Sequence, residues 1–119
     1  MRSVPSTLEP KAGEVWFIDF SPQVGCEQAG VRPGLVISHD RFNKARNDLH
    51  IVVPITGTDR GLEYHVPISP PEGGLTKDSQ IMCEQETSQS IDQFLSRRGV
   101  VSNQTLRQVR EIIGALIDR

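Results

Sequence analysis

The sequence predicts a mainly β fold: a small antiparallel barrel with one helix appended at its C-terminal end. Short apolar runs recur between glycine- and proline-marked turns, the pattern of short strands. A helical stripe stands out only at the end of the chain, where Leu106, Val109, Ile113 and Leu116 follow at steps of three, four and three. A length of 119 residues fits a single domain. Met1 to Pro10 is polar, carries Pro5 and Pro10, and reads as a loose tail. The domain is therefore expected over residues 11–119.

In chain order, Glu14 to Phe20 mixes aliphatic and aromatic side chains that suit a pleated surface, and Ser21-Pro22 ends it. Trp16 is expected in the core. Phe20, beside a long loop, can either close the core or stack on a base. A second strand is expected at Leu35 to Ser38. Asp40 can then cap a helical turn over residues 41–46, where Arg41, Lys44 and Arg46 form a small solvated cationic face. Leu49 to Thr56 is the most apolar run and is expected at a barrel centre. Pro54 within it lacks an N–H, which implies an edge or a bulge there. Residues 57–61 form a turn, Glu63 to Ile68 a fourth strand, and residues 69–74 a loop. Ser79 to Gln85 gives a fifth strand, and Gln89 to Leu95 a further extended piece. Ser102 is the expected N-cap of the last helix. Ile112 and Ile117 widen its stripe, which needs the barrel or a second subunit as partner. Gly114 costs about 1 kcal/mol relative to alanine in a helix interior, which points to close packing there.

The formal net charge is −2. That excludes broad phosphate binding of the kind a basic chain performs, and leaves room for a short single-stranded site read by a few local cations. Cys26 and Cys83 have neither C-x-x-C nor metal-ligand spacing, so reduced thiols in the cytoplasm are expected. No apolar run has the length of a membrane span, and no leader is visible.

The most informative stretch is Gly25-Cys26-Glu27-Gln28-Ala29-Gly30-Val31-Arg32-Pro33-Gly34. It reads as a long functional loop between two strands, with Pro33 holding Arg32 extended where the second strand begins. This string, with Gly13-Glu14-Val15-Trp16, Pro54-Ile55-Thr56, Gly73-Gly74-Leu75 and Asp78-Ser79, resembles the MazF/PemK family of toxin-antitoxin endoribonucleases. The resemblance runs from about Ala12 to the C-terminus. It implies an SH3-like barrel, a homodimer with its RNA groove at the dimer interface, and a partner antitoxin. It also implies metal-independent, cofactor-free cleavage of single-stranded RNA at a short specific sequence.

By the same resemblance Arg32 stabilises the transition state, as a planar, permanently charged guanidinium suits phosphate oxygens. Thr56 donates a hydroxyl hydrogen bond to the same phosphate. Glu27 orients Arg32 or shapes the loop, and Gln28 reads a base edge or caps the loop. Phe20, Ser38, Thr58 and Gln85 complete the expected substrate contacts. His39 is expected to be bland or a substrate contact, and His50 and His65 to be partly exposed strand residues. The chain departs from the family where Gly57 follows Thr56, so that Thr58 supplies the second hydroxyl. It departs again where Glu86-Thr87-Ser88-Gln89 replaces an arginine-bearing stretch. Two competing classes remain open: a non-cleaving, gyrase-poisoning barrel of the same shape, and an inactive module that binds an antitoxin or nucleic acid.

Overall fold

The computed structural model describes residues 9–20, 30–45 and 49–117, with the backbone alone at Lys44 and Ala45. Its strands are β1 (Glu14–Asp19), β2 (Val31–Val36), β3 (Leu49–Thr56), β4 (His65–Ile68), β5 (Ser79–Met82), β6 (Thr87–Ser90) and β7 (Phe94–Val100). Helix α1 (Asp40–Ala45) follows β2, and α2 (Asn103–Ile117) ends the described chain. The strands form one antiparallel path, β4-β5-β3-β2-β1-β7, with β6 also paired to β3. The two end strands are not paired to each other. The 3-10 turn Glu72–Gly74 packs on β7 instead.

β1 shows how the sheet sorts its side chains. Trp16, Ile18 and Phe20 fall on one face and pack with Val36, Val52 and Phe94. Val15 turns the other way into the main core, with Leu35, Val53, Ile55, Ile81 and the buried residues of α2. This is the period of two that a pleated strand imposes. Trp16 is a core residue, as its sequence context predicts.

β2 begins at Val31, earlier than the expected Leu35, so Arg32-Pro33-Gly34 is strand. Glycine and proline masked it. Gly34 has a packing reason: a Cβ there would lie 2.8 Å from Ile18 Cδ1 and 3.1 Å from Phe20 Cζ. The space that a side chain would occupy is filled by those two residues of the β1 segment.

β3 is central. Pro54 pairs with Gly34 on one flank. On the other flank it falls in the gap between Val52, which pairs with Thr87, and Ile55, which pairs with Ile81. The expected edge is thus a break in the ladder, where a missing donor is tolerated. β4 starts at His65, and the expected fifth strand stops at Met82 before a 3-10 turn, Cys83–Gln85. The expected piece at 89–95 is split by another, Ile91–Gln93, between β6 and β7.

Three further expectations are corrected. His50 and His65 are buried, at 4% and 5% exposure. His50 packs on the Phe94 ring, and His65 Nε2 meets the Glu84 carboxylate at 2.9 Å. Asp40 does not cap α1; its carboxylate accepts from Ala12 N–H at 2.8 Å, tying the segment before β1 to α1. Gly114 marks no close approach, because a Cβ there meets nothing within 4 Å.

Ser102 does cap α2, its hydroxyl oxygen accepting from Thr105 N–H at 3.1 Å. Leu106, Val109 and Ile113 are buried against the sheet, each contributing about 1.5–3 kcal/mol. The stripe then runs off it, leaving Leu116 43% and Ile117 66% exposed. Among the described residues no helix is long and apolar enough to cross a membrane.

Candidate active site

A cleft of about 460 Å³ opens where the start of β2, the end of β3, the segment before β5 and the middle of β7 converge. Its lining includes Phe17, Arg32, Thr56, Thr58, Lys77 and Arg98. Arg32 stands opposite Ile18 of β1, one residue from the Pro33–Phe17 pair. It is half-buried, and its Nε is buried without a hydrogen-bond partner among the described residues. A desolvated donor left unpaired carries a cost of about 1–3 kcal/mol or more, which a bound anion would remove.

Thr56 ends β3 and faces the same cleft. Its Oγ1 accepts from Thr58 N–H at 3.2 Å. That contact occupies a lone pair and leaves the hydroxyl proton to be donated.

Arg98 is placed by glycines. Gly73 and Gly74 both take a left-handed φ of 69°, and a Cβ on Gly74 would sit 2.0 Å from the Arg98 carbonyl oxygen. A Cβ on Gly99 would meet Gly74 N at 2.6 Å. Only backbone without side chains can pack this closely. The contact sets Arg98 into the cleft, where Nη2 donates to Gly74 O at 3.3 Å and the guanidinium lies 4.7 Å from the Phe17 ring centroid.

Lys77 enters from the segment before β5. Its Cε and Nζ lie 2.8 and 3.0 Å from where a Cβ of Gly57 would stand. Among the described residues the cleft thus joins three cations and three threonines, and no carboxylate lines it. In a chain of net charge −2, that is a local reversal of sign. Converging cations on low-dielectric walls focus a positive potential. Cys83 offers no competing nucleophile: burial, and then the Glu84 charge, push its thiol up to about 12.

A family model for PemK-like, MazF-like toxins of type II toxin-antitoxin systems matches residues 11–117. The chain belongs to this family. A curated relative, endoribonuclease MazF of Staphylococcus saprophyticus, is 31% identical over 105 residues, covering 87% of each chain. Endoribonuclease MazF9 of Mycobacterium tuberculosis is 31% identical, covering 91% of this chain and 96% of its own. Among solved structures, MazF from Deinococcus radiodurans superposes with a TM-score of 0.80 at 25% identity, covering 92% of this chain and 97% of that one. A MazE–MazF structure from the same organism gives 0.73 at 24% identity, covering 92% and 96%, and so supports the fold.

Within this MazF-like fold, the expected site residues separate. Arg32, Thr56 and Thr58 meet in the cleft. Phe20 does not: its ring is fully buried over Gly34, which removes it as a stacking platform, and Phe17 is the aromatic that lines the cleft. Ser38 is also corrected. It is buried, its hydroxyl engaged with Asn43 Oδ1 while accepting from Ile51 N–H at 3.0 Å. Gln85 lies in the turn after β5 and is not part of the lining, because the strand ends three residues earlier. Glu27 and Gln28 fall outside the described residues. Exposed Glu86, the acidic departure from the family pattern, is not part of the lining either.

Sequence reasoning passed over Arg98, Lys77 and Phe17. For Arg98 a signal existed in the separated Gly73-Gly74 and Gly99, whose common cause is one backbone contact. For Lys77 the signal was Gly57, a small residue beside Thr56.

Proposed function

We propose that this chain is the toxin of a type II toxin-antitoxin pair and acts as a sequence-specific endoribonuclease on single-stranded RNA. The ribose 2′-oxygen attacks the adjacent phosphorus, and the bond from phosphorus to the 5′-oxygen breaks. The 2′-proton is given up and the departing 5′-oxygen takes one. The products are a 2′,3′-cyclic phosphate and a 5′-hydroxyl, and arrest of growth follows from loss of messenger RNA. Negative charge grows on the non-bridging phosphate oxygens in the transition state. Arg32 offers them paired, permanently charged donors, and Thr56 a hydroxyl.

The observation that carries this reading is the meeting of Arg32 and Thr56, from different strands, in a cleft whose charged lining residues, among those described, are all cations. That donor set suits a phosphodiester and, among the described residues, offers no carboxylate to a divalent cation. The reading takes the chemistry as metal-independent and cofactor-free, and the setting as the cytoplasm. The names of the two curated relatives, both endoribonucleases, support the same reaction. An antitoxin would silence the toxin by laying an acidic, initially disordered segment over the cationic cleft. The reading takes residues 11–119 as one toxin domain that works as a homodimer, supported by the uncovered Leu116 and Ile117.

The test is incubation of the purified protein with a long, weakly structured RNA in EDTA, with mapping of the cut ends. Discrete cuts ending in 2′,3′-cyclic phosphate and 5′-hydroxyl are expected. Intact RNA, or cuts that need a divalent ion, would overturn the reading.

A further inference from the structure

We propose that Lys77 binds a second RNA phosphate, next to the one held at Arg32, and that the missing side chain at Gly57 is what admits it. The proposal rests on the reading of the cleft as an RNA site. Three observations carry it. Lys77 lines the same cleft as Arg32 and Thr56, and its side chain has no carboxylate or carbonyl partner among the described residues. Its Cε and Nζ lie against Gly57, 2.8 and 3.0 Å from where a Cβ would project. Any other residue at 57 would push the ammonium aside. The cleft is also graded: Arg32 and Thr56 are half-buried, whereas Gly57, Thr58 and Lys77 are exposed. A phosphate on the inner pair therefore leaves the rim for its neighbour along the strand. A volume of about 460 Å³ accommodates more than one phosphate group. A lysine suits this outer position, acting as a mobile point charge, while the planar arginine takes the reacting group.

The test compares Lys77→Met, Gly57→Ala and, as a control for bulk charge, Arg97→Gln. Arg97 pairs with Glu14 at 2.9 Å, is half exposed and lies outside the cleft lining. Binding is read by fluorescence anisotropy on a labelled single-stranded 20-mer of randomised sequence with 2′-fluoro at every sugar, which can be bound and not cut. Steady-state cleavage is read on an RNA spanning a mapped cut. For Lys77→Met, the slope of log Kd against log salt should fall by about 0.7. Kd and KM should rise roughly tenfold, the size of one charge-assisted contact, with kcat much less affected. Gly57→Ala should reproduce part of the loss by displacing a flexible side-chain end, and should add nothing in the Lys77→Met background. Arg97→Gln should leave the slope unchanged.

An unchanged slope and KM in Lys77→Met, or an equal fall in Arg97→Gln, would overturn the proposal while leaving the endonuclease intact. Weakened binding by Lys77→Met in a protein that cuts no RNA would uphold the phosphate site and sink the endonuclease reading alone.

Discussion

One turn, Glu72–Gly74, serves two neighbourhoods that treat charge in opposite ways. At its first residue the Glu72 carboxylate accepts from Ser102 N–H at 3.0 Å and from the Thr105 hydroxyl. The anion sits at the start of α2, among donors that need an acceptor and at the positive end of the helix dipole. At its last residue Gly74 supports Arg98, in a cleft where three cations meet with no anion among the described residues. Elsewhere Arg97 meets Glu14, and Arg110 Nε donates to Ile37 O at 2.9 Å. Among the described residues Arg110 Nη2, Gln89 and His65 also keep buried polar atoms unpaired, but each away from the cleft. We read the capped corner as serving stability and the cleft as serving a ligand that brings the missing charge.

The largest effect should come from breaking the hinge between the two. Gly74→Ala places a Cβ 2.0 Å from a carbonyl oxygen and forces a left-handed φ on alanine. The fold should lose about 3 kcal/mol or more, measured by chemical denaturation. An unchanged midpoint would mean that this contact does not hold the turn against β7. A smaller effect sharpens the view of α2 as a helix anchored at its start and uncovered at its end. Gly114→Ala should stabilise the monomer by about 0.8–1 kcal/mol, since a Cβ there meets nothing. Loss of stability instead would reveal a partner packed on that face.

The smallest effect is the pH dependence of the cap. Burial raises the Glu72 carboxyl, but hydrogen bonds from Thr105 and from the Ser102 backbone and hydroxyl outweigh it, and the net displacement is downward. A depressed folded-state value means that the unfolded chain takes up the proton first as pH falls. The contribution is therefore complete above the ordinary glutamate range, about pH 4.3, and is lost as pH drops below it. Wild type should lose stability on acidification from pH 6 to pH 3 more steeply than Glu72→Gln. Parallel curves would remove Glu72 from the account.

The fold was legible where burial leaves a period. β1, the centre of β3 and the first turns of α2 carry their faces openly, because one side must exclude water. β2 was read late, since Pro33 and Gly34 are loop residues by propensity and strand residues only because Ile18 and Phe20 fill the space above Gly34. Asp40 was misread for a similar reason: its partner, Ala12, lies 28 positions away. In the site, Arg32 and Thr56 were found through a local string. Arg98 and Lys77 come into place by contacts with distant glycines, which no string records. Phe20 and Ser38 look functional beside such a loop, and only packing shows that both are structural.

The most direct test measures two quantities on one variant, Arg32→Met. Cleavage of a mapped RNA should fall by about 10²–10³, the loss expected for one transition-state donor. The unfolding midpoint should stay level or rise, because a buried unpaired Nε is removed. Cutting at the wild-type rate, or a collapse of stability in step with activity, would contradict the claim that this cleft holds its cations for a phosphate rather than for the fold.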